Sequence, residues 1–290
     1  MKIAVFGSKG RLGNILAKIL LENGHQIVQL SRENFDMDKF LIDIQLFETN
    51  FDLMINTIAL TNVNSCEINP EMAMKVNADF PLALARFCDV YGIKLIHIST
   101  DYVFSGKSET PWEIDDEINP QSTYGRTKAE GDSRVLAVYP ENSSLVRTAW
   151  LYSPWGKNFA KMITKLAIKG ESEVRVVNDQ IGQPTLAMDL AKQLVELGLS
   201  TSPPGIYHGT NSGQATWFDF AQVIFKFTGA DVNRLVPVSS SDLLRPAKRP
   251  SFSVLSHDAW VGTSVQPMRD WRIALAEAMP AIISAVQTEE

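Results

Sequence analysis

The sequence predicts an α/β protein: a doubly wound parallel sheet with a smaller α/β lobe attached. Three observations carry that prediction. Short apolar runs alternate with longer amphipathic stretches through the first half of the chain. The apolar runs are near-continuous, as strands covered on both faces must be. The first of them, Lys2-Ile3-Ala4-Val5-Phe6, leads straight into a glycine-rich turn that opens a helix.

Taken in order, Lys2–Phe6 is the first strand. Leu12, Ile15, Leu16, Ile19 and Leu20 then recur at helical spacing, and Gly24 supplies the stop. Gln26–Leu30, Leu53–Asn56 and 94–99 read as further strands, and a long helix over 71–91 ends at Gly92. Tyr124 and Lys128 stand at i and i+4, on one face of another helix. From Trp150 the texture changes, with a helix over 158–169, a strand over 173–177 and a helix over 186–199. Ser202-Pro203-Pro204-Gly205 forms a loop before a short strand at 206–208. Thr216 and Asp219 make a capping box for Trp217–Thr228, which Gly229 ends. A basic loop over 245–250 precedes a last helix that begins near Arg269.

A chain of 290 residues exceeds the usual single-domain size, so two intimate units are expected. The first spans 1–149, with segments near 180–212 returning to it, and the second takes most of 150–290. A content of 45% apolar and 21% charged residues fits an ordinary globular protein. The net charge of −6 disfavours nucleic acid or an anionic membrane as partner, and no apolar run reaches the length of a membrane span. Cys66 and Cys88 lack metal-ligand spacing and read as buried small hydrophobes. The four histidines are scattered, and His97, inside an apolar strand, reads as a hydrogen-bonded core residue. No leader precedes the strand at Lys2, so a reduced, cytoplasmic protein is expected.

The turn after the first strand is Gly7-Ser8-Lys9-Gly10-Arg11-Leu12-Gly13. Glycines let a backbone turn tightly and approach a pyrophosphate, while the helix N-terminus offers free N–H groups. Gly7, Gly10, Arg11 and Leu12 are therefore expected against a dinucleotide, on a Rossmann-type sheet. The second strand ends Leu30-Ser31-Arg32, where an acidic residue would grip the 2′-hydroxyl of NAD. Ser31 and Arg32 suit a 2′-phosphate instead, so NADPH is expected and NADH is the alternative. Asp36 and Met37 lie where an adenine pocket would close.

Tyr124 and Lys128 follow a Ser99-Thr100-Asp101 cluster that closes an apolar strand. A phenol titrates near ~10 and is a poor acid–base group until a nearby cation lowers that value. Lys128 can supply the cation, and a hydroxyl from Thr100 or Ser99 can hold a carbonyl in line with the phenol. This equipment suits protonation of an oxygen while hydride arrives at its carbon. The crevice at the carboxyl ends of the strands is where Gly7, Ser99 and Thr100 all fall.

Further runs add to these: Asn77; Tyr102-Val103-Phe104-Ser105-Gly106; Pro111-Trp112-Glu113; Arg147-Thr148-Ala149-Trp150; Asn158-Phe159-Ala160-Lys161; and Asp179-Gln180 with Gly182-Gln183-Pro184-Thr185 and Arg249-Pro250. Together they resemble the extended short-chain dehydrogenase/reductases, in particular the dTDP-4-dehydrorhamnose reductase branch, nearly end to end. The resemblance implies that Tyr124 protonates the C4 oxygen of a sugar, that Thr100 holds the same oxygen, and that Lys128 binds the nicotinamide ribose and lowers the phenol's pKa. It implies that Ala59, Thr61 and Ser99 touch the cofactor. It assigns Asp101, Val103 and Trp150 to the sugar, and Asn158, Gln183 and Arg249 to the nucleotide part of the substrate. The implied reaction is NADPH-dependent reduction of a nucleotide-linked 4-keto-6-deoxysugar, in first place dTDP-4-dehydro-L-rhamnose. Lys157, Lys161, Arg245, Lys248 and Arg249 are the cations available to a diphosphate.

Two rivals stand beside this. A sugar-nucleotide dehydratase would carry glutamate after Thr100-Asp101, where Tyr102 stands, and a combined epimerase would need Cys and His as further acid–base groups. A regulatory homologue that binds NADP without turnover is the rival from another class. Some members of the branch bridge a dimer with magnesium through glutamates. Ile15 and Met188 occupy those places, so no metal is expected and a monomer or weak homodimer follows.

Overall fold

A computed structural model describes residues 1–42, 49–170, 172–243 and 246–288. The proposed contact Arg245 lies outside the described residues. Six strands form one parallel sheet in the order β10-β5-β4-β3-β1-β2. They are β1 (Lys2–Phe6), β2 (Gln26–Leu30), β3 (Leu53–Asn56), β4 (Lys94–Thr100), β5 (Ser143–Thr148) and β10 (Gly205–His208). The register pairs Val5 with Ile55 and Ile55 with Ile96, so apolar side chains stack in rows across both faces.

On one face lie α1 (Arg11–Glu22) and α8 (Ala187–Leu199). Leu12, Leu16 and Leu20 meet Leu190 and Leu194 over Val5, Ile55 and Ile96. Each such side chain contributes about 1.5–3 kcal/mol by leaving water. The other face carries α2 (Met37–Ile42), α5 (Phe80–Tyr91) and α6 (Thr123–Val138), around Phe6, Phe40, Phe80 and Phe87. Phe6 meets Phe80 edge-on at 5.7 Å. The chain thus leaves the sheet after β5 and comes back to it with α8 and β10.

The smaller lobe packs α7 (Phe159–Lys169), α9 (Trp217–Thr228) and α10 (Trp271–Thr288) around Ile163, Phe220, Phe225 and Trp271. A two-stranded parallel ribbon of β7 (Val174–Val177) and β12 (Leu235–Val238) covers it. Short pairs join β6 (Leu151–Tyr152) to β9 (Thr185–Leu186) and β8 (Ile181–Gly182) to β11 (Ala215–Thr216). The capping box is present: the Thr216 hydroxyl accepts from Asp219 N at 2.9 Å, and Asp219 accepts from Thr216 N at 2.9 Å. Gly229 ends α9 in the left-handed region, at φ +72°. Among the described residues no helix is long and apolar enough to cross a membrane.

The long helix over 71–91 is not one regular helix. It divides into α4 (Pro70–Met74), a π turn over Lys75–Asp79 and α5, after the short α3 (Val63–Ile68). The π turn aims Asn77 inward. Its Oδ1 accepts from Leu60 N at 2.8 Å, and its Nδ2 donates to Thr127 Oγ1 at 3.1 Å. A π bulge of this kind is common beside functional sites, and this one ties α6 to the loop after β3. The last helix begins at Trp271: the backbone of Arg269 and Trp271 pairs with Ser212, and Asp270 accepts from Arg272 N at 2.7 Å.

Candidate active site

A cleft of about 480 Å³ opens at the carboxyl ends of β1, β3, β4 and β5, between the sheet and the smaller lobe. Gly10, Arg11, Leu12, Ala59, Thr61, Ser99, Thr100, Asp101, Tyr124, Lys128 and Trp150, all expected at the site, line it together. A second hollow shares Gly10 and Ala59 with it and adds Gly7, Ser31 and Arg32. Arg32 in turn borders the hollow that holds Asp36 and Met37. On the opposite side Trp217 is common to the cleft and to an apolar pocket with Phe159, Ile163 and Arg249. Shared lining residues thus link the four hollows in series, as a trough.

The glycine turn fits a dinucleotide. Gly7 has φ +80°, where a side chain would be strained. A Cβ at Gly13 would stand 2.3 Å from the Gly7 carbonyl oxygen, so only glycine lets the helix start this close to the turn. No side chain caps α1 at Gly10, which leaves its first N–H groups free to meet an anion. Arg11 spans the cleft: Nη1 donates to the Leu151 carbonyl at 2.9 Å, Nη2 to that of Lys157, and the buried Nε has no partner. Asp36 caps α2 by accepting from Asp38 N and Lys39 N. Glu33 lies in the same hollow as Ser31 and Arg32, and its carboxylate pairs with Lys9 of the glycine turn.

Thr100 ends β4, and the phenol of Tyr124 sits within hydrogen-bonding reach of its hydroxyl. Burial pushes that phenol well above its ordinary range, with Asp101 and Tyr102 adding to the rise and Thr100 opposing it. The lowering expected from Lys128 is therefore corrected. The ammonium is held by the Ile98 carbonyl at 2.7 Å and His97 Nε2 at 3.1 Å. Burial lowers Lys128 itself to about 8, against the pull of Asp132. Asp101 is raised to about 6 by burial, opposed by hydrogen bonds from Ser253 and Thr100. Ser99 donates to Asp132 at 2.6 Å, so its hydroxyl is engaged beneath the cleft floor.

Trp150 forms the wall opposite. It has φ +45°, the one positive φ outside glycine among the described residues, and backbone strain of this kind gathers at functional sites. Its indole stacks on Trp217 with ring centres 3.5 Å apart and 6° between planes.

Three expected contacts are not brought to the trough's lining. Gln183 is 2% exposed, and its amide is spent on Leu255 N and the Thr210 hydroxyl, both 2.8 Å away, and on the Leu255 carbonyl. Val103 is buried with Phe104, Trp112 and Leu255. Asn158 caps α7 by accepting from Lys161 N at 3.1 Å and donates to the Ser153 carbonyl at 2.8 Å. Thr57, Thr148 and Trp217 line the cleft without having been singled out. Thr57 directly follows β3 and Thr148 closes β5, so the strand-end rule would have found them. Trp217 follows the capping threonine, a place where an aromatic ring is displayed beyond the helix end.

The family model described as RmlD substrate binding domain matches residues 1–283. A dTDP-4-dehydrorhamnose reductase from Streptomyces griseus is 41% identical over 284 residues, covering 96% of this chain and 93% of its own. A probable dTDP-4,6-dihydroxy-2-methyloxan-3-one 4-ketoreductase from Streptomyces antibioticus is 38% identical, covering 98% of this chain and 97% of its own. The crystal structure of a dTDP-4-dehydrorhamnose reductase from Bacillus anthracis, in complex with NADP, superposes with a TM-score of 0.89 at 29% identity. It covers 96% of this chain and 98% of its own.

Proposed function

We propose, from the premise that the chain belongs to the RmlD substrate-binding domain family of extended short-chain dehydrogenase/reductases, that it reduces the C4 ketone of a nucleotide-linked 4-keto-6-deoxysugar, in first place dTDP-4-dehydro-L-rhamnose, with NADPH. The observation that carries this is Tyr124. A buried phenol beside Thr100, inside a cleft that continues to the glycine turn, is placed to give its proton to a carbonyl oxygen.

A bound dihydronicotinamide supplies the hydride. Tyr124 gives its proton to the C4 oxygen, and the Thr100 hydroxyl, which donates to Asp101 Oδ1 at 2.9 Å in the unliganded cleft, turns to donate to the same oxygen and fixes it in line. Asp101, ionised above about pH 6, accepts a neighbouring sugar hydroxyl. Trp150 and Trp217 wall the sugar, and the apolar pocket with Phe159 and Arg249 receives the nucleotide. Arg32 is the cation for a 2′-phosphate, with Lys9 beside it and partly neutralised by Glu33.

Tyr102 favours reduction over elimination. Its ring lies edge-on to Tyr124 at 5.5 Å, where a dehydratase would need a carboxylate. A panel of 4-keto-6-deoxy sugar nucleotides, followed by NADPH oxidation and product NMR, tests the reaction. Tyr124→Phe should lower turnover by roughly 10²–10⁴ with cofactor affinity intact, and full activity in that variant would refute the mechanism. Failure to oxidise NADPH with any substrate of the panel would favour a binding-only homologue.

A further inference from the structure

Behind Lys128 lies a buried chain of side chains that the reaction above does not use. Lys128 Nζ stands 3.1 Å from His97 Nε2, and His97 Nδ1 stands 3.0 Å from Nδ2 of Asn56, its cross-strand partner on β3. All three residues are at most 1% exposed. The Asn56 amide has a fixed orientation, because its Oδ1 accepts from Ile58 N at 3.0 Å. Its Nδ2 therefore meets the imidazole, and an amide nitrogen can only donate.

His97 must then accept at Nδ1. In the neutral ring the remaining proton sits on Nε2, which points at Lys128. Burial, with Lys128 beside it, keeps the ring from taking a second proton. An Nε2–H facing an ammonium sets donor against donor. The contact is satisfied only by an amine that accepts from Nε2–H and donates to the Ile98 carbonyl. Of the other titratable and charged groups around this lysine, Asp132 and Tyr124 from α6 and Arg147 from β5, only Asp132 acts on it directly. Asp132 favours the cation, but its carboxylate also serves Ser99 and lies 3.7 Å from Arg147.

We propose that Asn56 and His97 are positioning residues that weaken the hold of Lys128 on its proton in the cofactor-free cleft, so that the lysine takes up a proton when the cleft binds its cofactor. The proposal rests on the reading of the cleft as a nicotinamide-dinucleotide site. Ribose hydroxyls can accept from Nζ, which the imidazole in this tautomer cannot. The lysine then becomes a full cation beside the bound cofactor.

Calorimetric titration with NADPH alone at pH 8.5, in two buffers of different ionisation enthalpy, counts the protons taken up. With Lys128 at about 8 in the free protein and at an ordinary lysine value when bound, uptake of roughly 0.7 proton per NADPH is expected. A 2′-phosphate is fully ionised at that pH and adds none. Binding with no uptake overturns the proposal, whereas no binding at all overturns the cofactor reading and the proposal with it. Asn56→Asp places an acceptor oxygen against Nδ1, moves the ring proton there and leaves Nε2 to accept from the ammonium. Uptake should then fall below roughly 0.1 proton, and unchanged uptake in the folded variant overturns the tautomer argument. In a His97→Phe background, adding Asn56→Asp should change nothing. A further fall there would assign the effect to the new charge alone and overturn the role of the ring.

Discussion

A single methyl group at Gly182 tests whether the tryptophan pair is a rigid wall of the substrate site. A Cβ there would lie 2.6 Å from Cε2 of Trp150 and 2.8 Å from Cζ2 and Nε1. Carbon–carbon contacts want about 3.5 Å, so the indole has to move by roughly 0.9 Å. It cannot move straight back, because Trp217 is stacked on it with ring centres 3.5 Å apart. Gly182 cannot retreat easily either, since β8 pairs it with Ala215 beside the start of α9. Overpacking of this kind costs about 1–3 kcal/mol. If the folded state bears all of it, the melting temperature of Gly182→Ala falls by about 2–4 °C per kcal/mol. If the indole slides into the cleft instead, KM for the sugar nucleotide rises by about 5–150-fold. The Kd for NADPH should not change, because the glycine turn is untouched. Initial-rate kinetics at saturating NADPH, a fluorescence titration with NADPH and a thermal melt read the three quantities. Unchanged KM together with unchanged melting temperature would refute the rigid sandwich.

Further outcomes are expected along the trough. Gly13→Ala sets a Cβ 2.3 Å from the Gly7 oxygen and 2.8 Å from its carbonyl carbon, backbone atoms that cannot swing aside; NADPH Kd should rise at least about tenfold, and an unaltered titration would contradict the fit of the turn. Arg32→Ala should weaken NADPH by about 10–150-fold through loss of charge-assisted bonds while leaving NADH affinity nearly constant; equal losses would remove Arg32 from the 2′-phosphate. Asp101 stands above its ordinary value, at about 6, so its carboxyl is neutral below that pH and ionised above it. Substrate KM should therefore climb as pH falls below about 6 and level off above it, and Asp101→Asn should abolish that dependence; a flat wild-type profile between roughly pH 5 and 7.5 would count against the carboxylate as acceptor.

Where apolar period and cap chemistry spoke alone, the fold was legible in the sequence. Lys2–Phe6 and Gln26–Leu30 are strands, and Thr216, Asp219 and Gly229 bound α9 as their side chains and backbone require. Two elements defeated that logic. Residues 71–91 keep a helical period throughout, yet the demand of Leu60 and Thr127 on Asn77 opens a π turn that periodicity cannot register. Strand β5 has the opposite fault. Its Ser143, Ser144 and Arg147 are buried, so no apolar run marks it, and Arg147 is tolerated inside because Asp132 and the Ile114 carbonyl receive its guanidinium.

At the site, residue types and chain order pointed to the cleft, but they did not say which atom faces which. Gln183 carries a motif's chemistry and yet turns its amide into the fold, where three partners hold it. Lys128 shares a helix face with Tyr124 by spacing, but β4 presents the Ile98 carbonyl and His97 to its ammonium. That difference bears on the chemistry. A lysine resting against Tyr124 would favour phenolate, the form suited to taking a proton from an alcohol. With the ammonium engaged by β4, the buried phenol stays protonated but is a weak acid, so its proton leaves only as negative charge builds on the carbonyl oxygen of a reduction.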